Sequence, residues 1–394
     1  MPDLFLTGIG QLTTNTGPPM ADAVVAIEGG TITYAGPAAE APDQTGQRYD
    51  CDGMAVIPGL VDAHTHLVFA GDRSEEFARR LAGQSYQEIA AGGGGILSTV
   101  AATRGSSEDE LYDLAAARVW RMIRTGTTTV EIKSGYGLDT ETELRQLAVA
   151  RRIGEQLPVT VKTTFLGGHS VPTEFENDRE GYVDLLVEEM LPAAAPLSDY
   201  CDVFVEDGVF SADEARQVFT RGIELGLGAR VHAEQLGHSG GAGLAAEIGA
   251  VSADHLDHAT EEDARALAEA GVSAVLVPGA SYTLRSPQAP GPMLLEQGCN
   301  LALATDCNPG TSYFESMTPI LSLAVVQMGL TVDQALTAAT LGGALSLGFD
   351  DRGYIGIGAV ADLVVLDAPA ASHLIYRPGA NLVRQVIKGG VPVV

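Results

Sequence analysis

The chain is poor in positive charge and in cysteine, and each shortage argues against a class of protein. Its 394 residues include 23 basic and 51 acidic ones, a formal net charge of −28, and only three of the basic residues are lysines. Because such acidity repels phosphate backbones and anionic lipids, we expect no nucleic-acid and no membrane-surface partner. The four cysteines are scattered and form no Cys-x-x-Cys pair, which argues against a disulfide framework and a thiolate zinc site.

Long apolar runs are also missing. No stretch approaches the ~20 apolar residues that span a bilayer, and the first residues lack the basic and apolar regions of a signal peptide. With 45% hydrophobic and 19% charged residues, the composition is that of a globular protein. We therefore expect a soluble, reduced, cytoplasmic protein.

Both ends of the chain contain short β-strand patterns. Near the start, Gly29 and Gly30 separate the apolar runs 24–27 and 31–34, which predicts a hairpin. Near the end, 361–366 and 383–388 are also strand-like. Neither end has enough strands to be stable alone. We therefore predict a small β-sandwich domain formed by residues 1–55 together with 347–394.

Residues 56–346 have a different pattern, in which short β-branched runs alternate with helical stretches rich in Ala, Leu, Glu and Arg. Alternation of this kind predicts a parallel sheet with crossover helices, and eight units over this length predict a (β/α)8 TIM barrel. The predicted barrel strands are 60–66, 127–132, 159–166, 202–205, 229–232, 251–255, 272–277 and 301–305.

The segment Asp62-Ala63-His64-Thr65-His66 carries the first chemical signal. In a strand, His64 and His66 point to the same side and can chelate a metal ion, although such a pair also occurs as ordinary packed histidines. More candidate ligands lie at or near the ends of later predicted strands. They are His169, His232, His255 and Asp306. Because the active sites of barrel enzymes lie at this rim, the arrangement indicates a zinc-type catalytic site.

The segment Pro58–His66 resembles the first barrel strand of the amidohydrolase superfamily, whose members are metal-dependent barrels with a small β-domain from both chain ends. The resemblance extends over essentially the whole chain. A narrower resemblance, to the imidazolonepropionase family, rests on four further segments: Val68–Arg73, Gly92–Val100, Glu131–Leu138 and Thr305–Thr311.

The resemblance implies one divalent or trivalent transition metal per chain, zinc or iron. Its implied ligands are His64, His66, His232 and Asp306. Asp306 would also take the proton of the attacking water, and His255 would hydrogen-bond the developing oxyanion. Neither Lys162, early in the third strand, nor Lys133, in the loop of Tyr136, is placed to bridge two metals. A homodimer is a further expectation from the family.

The implied reaction opens the ring C–N amide bond of 4-imidazolone-5-propanoate and gives N-formimidoyl-L-glutamate in histidine degradation. Arg73 would bind the carboxylate tail of this small-molecule substrate, although a salt bridge to Asp72, Glu75 or Glu76 is an equal alternative on the sequence. Gln235, which cannot serve as a general base, is expected to contact the substrate. The remaining implied substrate contacts are Tyr136, His169, Asn308, Gly310 and Thr311.

Two other functions stay open at this point. A cytosine- or guanine-type deaminase would share the metal ligands, but a nucleobase has no carboxylate for Arg73 to bind. A non-catalytic barrel scaffold would have no reason to keep the complete ligand set. Arg104 is a second candidate partner for the substrate carboxylate.

Overall fold

The computed structural model describes residues 3–43, 45–84 and 94–394. The segment resembling the imidazolonepropionase family at Gly92–Val100 therefore begins outside the described residues. Within these ranges, no helix is both long enough and apolar enough to cross a membrane.

Eight parallel strands form the central sheet, and each pairs with its neighbours in chain order. All positions of most of these strands are buried, as expected for a parallel sheet covered by helices. Hydrogen bonds from Asp306 N to His64 O (3.0 Å) and from His66 N to Cys307 O (3.1 Å) join the first strand region to the last and close the barrel. The predicted (β/α)8 barrel is confirmed. Its strands are β7 Leu60–Asp62, β8 Thr127–Lys133, β9 Thr160–Gly168, β10 Tyr200–Val205, β11 Gly228–Ala233, β12 Ser252–His255, β13 Ser273–Leu276 and β14 Leu301–Leu303.

Two smaller sheets are built from the chain ends. The strands before the barrel are β1 Leu4–Ile9, β2 Gln11–Leu12, β3 Ala23–Glu28, β4 Thr31–Pro37, β5 Gln47–Asp50 and β6 Ala55–Pro58, and those after it are β15 Leu363–Leu366, β16 Val383–Lys388 and β17 Val391–Pro392. One sheet has the order β4-β3-β1-β5, and the other, β17-β16-β15-β6-β2, combines strands from both ends.

The two small sheets share one buried apolar cluster, to which β1 contributes Leu6 and β15 contributes Val365. The hairpin predicted at Gly29 and Gly30 joins β3 to β4, and both glycines have the positive φ that a tight two-residue turn needs. The predicted domain boundaries, 1–55 plus 347–394 against 56–346, stay a prediction.

Helices connect the barrel strands, and four of them begin with a capping box in which the side chains at the first and fourth positions satisfy free backbone N–H groups. The α-helices are Ser74–Leu81, Ile96–Arg104, Glu108–Arg124, Thr140–Gln156, Arg179–Leu185, Leu191–Ala194, Ala212–Glu224, Gly241–Ile248, Glu261–Ala270, Pro278–Leu284, Gly291–Glu296, Met317–Val326, Val332–Thr337, Gly343–Ser346 and Ser372–Tyr376.

Candidate metal centre and active site

His64 and His66 lie beyond the end of β7 rather than inside a strand, so the predicted strand 60–66 is too long. The strand ends at Asp62, whose carboxylate accepts hydrogen bonds from Thr305 N (2.9 Å) and Thr305 Oγ1 (2.6 Å). Thr65 N then bonds to the Glu131 carboxylate at 3.2 Å instead of to a neighbouring backbone carbonyl. Side-chain hydrogen bonds thus join the backbone bonds of the barrel where the histidines begin.

The histidines and Asp306 form a tight cluster at the C-terminal ends of the barrel strands. The Oδ1 atom of Asp306 is 3.6 Å from His64 Nε2 and 3.4 Å from His66 Nε2. The ring of His232 lies 4.5 Å from that of His64, and the ring of His255 lies 5.2 Å from both. All five side chains are buried. The structure therefore brings together all the predicted ligands and the predicted oxyanion partner.

Carboxylates lie behind two of these imidazoles. Asp254 Oδ2 is hydrogen-bonded to His64 Nδ1 at 2.6 Å, which holds the proton on Nδ1 and leaves Nε2 as the atom with a free lone pair. Asp202 Oδ2 lies 2.9 Å from His232 Nδ1, but the two atoms form no hydrogen bond. Lys133 Nζ joins both carboxylates, at 2.8 Å from Asp202 and 3.4 Å from Asp254.

Burial keeps the imidazoles neutral. It lowers the pKa of His66 to about 3 and holds the pKa values of His64 and His232 well below the ordinary value, an effect to which the nearby Lys133 charge adds. Burial also raises the pKa of the Asp306 carboxyl to about 6. A neutral imidazole is the form that binds a metal ion.

The donor atoms present fit a transition metal. His64 Nε2 is buried and has no hydrogen-bond partner among the described residues, a costly state for a polar atom that lacks a ligand. Within this cluster, two groups of three side chains have donor atoms within 4.8 Å of one another, His64 with His66 and Asp306, and His64 with His232 and His255. Imidazole with carboxylate is the ligand chemistry of zinc and non-haem iron sites.

Three residues at these strand ends adopt a backbone conformation that side chains normally avoid. Glu234, His255 and Asp306 have φ values of 54°, 78° and 51°. Left-handed conformations at residues other than glycine are uncommon and cluster at functional sites. They turn the chain sharply where β11, β12 and β14 deliver their side chains.

A cavity of about 580 Å³ opens above the cluster. His66, His232, His255 and Asp306 line its floor. Every predicted substrate contact also lines this cavity, and the set is Arg73, Tyr136, His169, Gln235, Asn308, Gly310 and Thr311. By contrast, Glu234 is fully buried outside the cavity, where its carboxylate accepts hydrogen bonds from Ser239 N (2.6 Å) and Ala242 N (3.0 Å).

Tyr136 and His169 stand beside the cluster. The His169 ring stacks on that of His66 at 5.1 Å, and its Nδ1 bonds to Gly135 O at 2.9 Å. The Tyr136 ring is 5.8 Å from His66 and 5.3 Å from His169. Burial lowers the pKa of His169 to about 3 and raises that of Tyr136. Both side chains are therefore uncharged near neutral pH.

Arg73 lines the cavity and is ion-paired at the same time. Its Nε bonds to Glu76 Oε2 at 3.0 Å, and its Nη2 bonds to Glu76 Oε1. One of the salt bridges considered from the sequence is therefore present. Asn308 shapes the adjoining wall, where its Oδ1 accepts hydrogen bonds from Gly310 N (2.8 Å) and Thr311 N (2.7 Å).

Several residues of the site were missed or misplaced from the sequence. Lys133, predicted in the loop of Tyr136, is instead the last residue of β8, and strong backbone pairing to Thr164 and Thr65 extends the strand to include it. Asp202 and Asp254 were seen only as strand residues. A carboxylate inside a buried barrel strand is itself a signal, because charged side chains are rarely buried without a partner.

Arg104 does not line the cavity. Its guanidinium bonds to Gly137 O at 2.7 Å and to Glu174 Oε1 at 2.5 Å, and its Nε is 2.8 Å from Asp139. It supports the loop that carries Tyr136 from the outside.

A barrel with buried imidazoles and a carboxylate at its catalytic rim defines a metal-dependent hydrolase class. The amidohydrolase family model matches residues 55–393, and the chain belongs to this family. Two curated relatives named imidazolonepropionase are similar along nearly their full length. The one from Symbiobacterium thermophilum is 47% identical and covers 98% of this chain and 96% of its own, and the one from Salinispora tropica is 46% identical and covers 100% and 99%.

Solved structures support the fold. An adenosine deaminase from Xanthomonas campestris with bound zinc has a TM-score of 0.72 at 23% identity and covers 99% of this chain and 92% of its own. A 5-methylcytosine deaminase from Klebsiella pneumoniae has a TM-score of 0.77 at 16% identity, with coverage of 99% and 97%. The predictions of an amidohydrolase enzyme and of a resemblance to imidazolonepropionases are confirmed, and the family and the His/Asp groups support a metal cofactor.

Proposed function

We propose that this chain hydrolyses the ring C–N amide bond of 4-imidazolone-5-propanoate to give N-formimidoyl-L-glutamate, a step of histidine degradation. The similarity to imidazolonepropionases over nearly the whole chain supports the substrate class. The observation that carries the proposal is the cavity, which has the His/Asp cluster on its floor and arginine side chains on its wall. A substrate with a ring amide and a carboxylate tail fits this cavity, because the ring amide can lie over the His/Asp cluster while the carboxylate binds the arginines.

The metal ligands in this proposal are His64, His66, His232 and Asp306, and the metal is one zinc or iron ion per chain. A metal bound there supplies Lewis acidity, which activates water and polarises a carbonyl group. His255 stays outside the ligand set. Its ring, 5.2 Å from those of His64 and His232, is close enough to hydrogen-bond an oxygen atom that becomes negative above the cluster.

Asp306 takes the proton of the attacking water. Its carboxylate faces both His64 and His66 and lines the cavity, so it is within reach of both the proposed metal and the substrate. Water adds to the ring carbonyl carbon, the C–N bond breaks, and the proton held by Asp306 goes to the leaving ring nitrogen. Glu234 takes no part, because its two oxygen atoms are engaged by backbone N–H groups.

The remaining cavity residues orient the substrate. Arg73 binds the carboxylate tail, and Gln235 hydrogen-bonds a ring nitrogen. Tyr136 and His169 form the wall beside His66, and the backbone at Gly310 and Thr311, fixed by Asn308, forms the wall adjoining Arg73.

A substrate panel tests the proposal. Imidazolone propionate, cytosine, guanine and a dihydropyrimidine would be supplied separately, and loss of ring absorbance in the ultraviolet would be followed. We expect rapid loss for imidazolone propionate alone. Preferential turnover of a nucleobase would show that the chain is a deaminase, and no turnover by protein of verified metal content would favour a non-catalytic scaffold.

Elemental analysis of the purified protein tests the metal. We expect one zinc or iron per chain, loss of turnover after chelation and recovery when the metal is added back. Full activity in protein verified to be metal-free would contradict the mechanism. We also propose that the chain forms a homodimer, that it is located in the cytoplasm, and that residues 1–55 and 347–394 form one small domain.

A further inference from the structure

Arg80 places a second guanidinium in the wall of the cavity, close to Arg73. It lies on the helix Ser74–Leu81, and its Nη1 atom is 3.3 Å from Gly310 O. Its Nη2 atom is buried and makes no hydrogen bond to any residue that the structure describes. Within the same ranges, no carboxylate lies within 4.0 Å of Arg80, whereas most other arginines of the chain are paired. A buried donor without a partner on a cavity wall indicates a ligand that supplies the acceptor.

Glu76 cannot supply that acceptor, because it is already used. Both of its oxygen atoms bind Arg73, and Oε2 also accepts a hydrogen bond from Gly95 N at 2.8 Å. These contacts lower the pKa of Glu76 against the opposing effect of burial, so it is ionised. Glu76 therefore pairs directly with Arg73 and acts on Arg80 only through longer-range electrostatic attraction, so one carboxylate is shared by two guanidinium groups.

The two arginines converge on the same backbone segment. A Cβ atom at Gly310 would lie 2.6 Å from Arg73 Nη1, and Gly310 O contacts Arg80 Nη1. The missing side chain of Gly310 therefore leaves room for the Arg73 guanidinium, and the carbonyl group of the same residue receives Arg80. Arg73 has only Nη1 free for a ligand, since its other two nitrogen atoms bind Glu76.

We propose that Arg80 is the residue that selects a carboxylate-bearing ligand, with its free Nη2 as the main donor and Arg73 as a neutralised second donor. This inference rests on the proposed function, since it gives the carboxylate tail of the substrate a second and stronger partner.

The test measures binding, so that it does not depend on turnover. Imidazole-4-propionate and 4-propylimidazole share the ring and the chain length, and only the first has a carboxylate. Their affinities for the metal-loaded protein would be measured by titration calorimetry. We expect the unmodified protein to prefer the carboxylate, and Arg80→Met to reduce the ratio of the two affinities by about tenfold to a hundredfold, as for a lost charge-assisted hydrogen bond.

Arg79→Met is the matched control. Arg79 is the preceding residue on the same helix, is exposed, and bonds to Gln84 Oε1 at 2.5 Å without lining the cavity. We expect it to leave the ratio unchanged. Arg80→Lys keeps the charge but not the fork of donors, so its ratio should be intermediate. Arg80→Lys also carries the test if Arg80→Met fails to fold.

An unchanged affinity ratio in the Arg80 variants, or an equal loss for both ligands, overturns the inference. The proposed function fails separately. If the unmodified protein prefers imidazole-4-propionate but does not open the imidazolone ring, the carboxylate site stands and the proposed reaction is wrong.

Discussion

Asp306 is the side chain on which metal binding and proton transfer meet in the proposed mechanism. Asparagine keeps its size and one oxygen ligand but cannot accept a proton. We expect Asp306→Asn to retain the fold and part of the metal and to lower kcat by a hundredfold or more, within the ~10²–10⁴ range of general acid–base catalysis. The acidic limb of the pH–rate profile should disappear if it reports this carboxylate.

Glu234→Gln is the comparison for that variant. Glu234 is also a buried carboxylate at a strand end, but its oxygen atoms bind Ser239 N and Ala242 N away from the cavity. Its loss should change kcat little. An active Asp306→Asn protein beside an inactive Glu234→Gln protein would place the proton acceptor after β11 instead.

Lys133 is a residue whose removal should affect the whole barrel. Its ammonium group lies 2.8 Å from Asp202, 2.9 Å from Glu131 and 3.4 Å from Asp254, and all four side chains are fully buried. Breaking a buried ionic group by removing one partner costs about 3–5 kcal/mol. We expect Lys133→Met to lower the free energy of unfolding of the metal-free protein by that amount, measured in urea.

Lys162→Met provides the reference for Lys133. Lys162 also lies on a barrel strand and pairs with one carboxylate, Asp199 at 3.0 Å, but both side chains are partly exposed. A pair of this kind contributes about 0–1 kcal/mol. If Lys133→Met and Lys162→Met lowered the free energy of unfolding equally, the charges around Lys133 would be solvated like those at the surface, which would mean that water reaches the centre of the barrel.

One carboxylate accepts three backbone hydrogen bonds from the loop that carries Tyr136. Glu143, on the helix Thr140–Gln156, accepts hydrogen bonds from Gly135 N (2.9 Å), Gly137 N (2.8 Å) and Leu138 N (2.8 Å) and is buried. A buried N–H without a partner costs about 1–3 kcal/mol. We expect Glu143→Ala to destabilise the protein by at least ~2 kcal/mol and to raise KM, because Tyr136 is no longer fixed beside His66.

Glu141→Ala, two residues earlier on the same helix, tests whether the effect is specific. Glu141 is exposed and, among the residues that the structure describes, its one ion pair is with Arg145 at 2.7 Å, so its loss should cost about 0.5 kcal/mol or less. If both variants raise KM equally, the helix and not the Glu143 carboxylate positions the loop.

The presence of the barrel strands and of the helices between them could be predicted from the sequence, but the residues at which they end could not. The helical stretch expected before the predicted strand 127–132 is present as the helix Glu108–Arg124, because apolar periodicity and a capping Ser107 define it locally. The end of β7 was not predicted, because it depends on Asp62 bonding to Thr305, which is distant in the sequence. Contacts between distant residues leave no local pattern. For the same reason, the sequence did not reveal that Asp202 lies next to His232 and Asp254 next to His64.

Over the whole molecule, the barrel and the convergence of His64, His66, His232, His255 and Asp306 followed from strand order, since parallel strands end at one rim. The pairing of Arg73 with Glu76, by contrast, could only be stated as one of several salt bridges. Side-chain pairing among close alternatives is decided by rotamers and space, which the sequence does not encode locally.

The net charge of −28 has a consequence for the stability of the whole molecule. Uniform repulsion destabilises a compact chain, and salt screens it, with a Debye length of about 30 Å at 0.01 M and about 8 Å at 0.15 M. We expect the melting temperature to rise with sodium chloride, most steeply below ~0.15 M. A flat response in that range, with a rise only at molar salt, would instead indicate general salting-out.

The sheet that combines β2 and β6 with β15–β17 also constrains the order in which the protein can form. The strand β6 pairs with β15, which lies about 300 residues further along the chain and emerges from a ribosome roughly 15–60 s later at ~5–20 residues per second. Until then β6 has no antiparallel partner, although it leads directly into the strand that precedes His64 and His66. The segment that leads to the proposed metal ligands His64 and His66 therefore lacks this anchor until near the end of synthesis, so a nascent chain stalled before β15 should hold these two histidines less firmly than the full chain does.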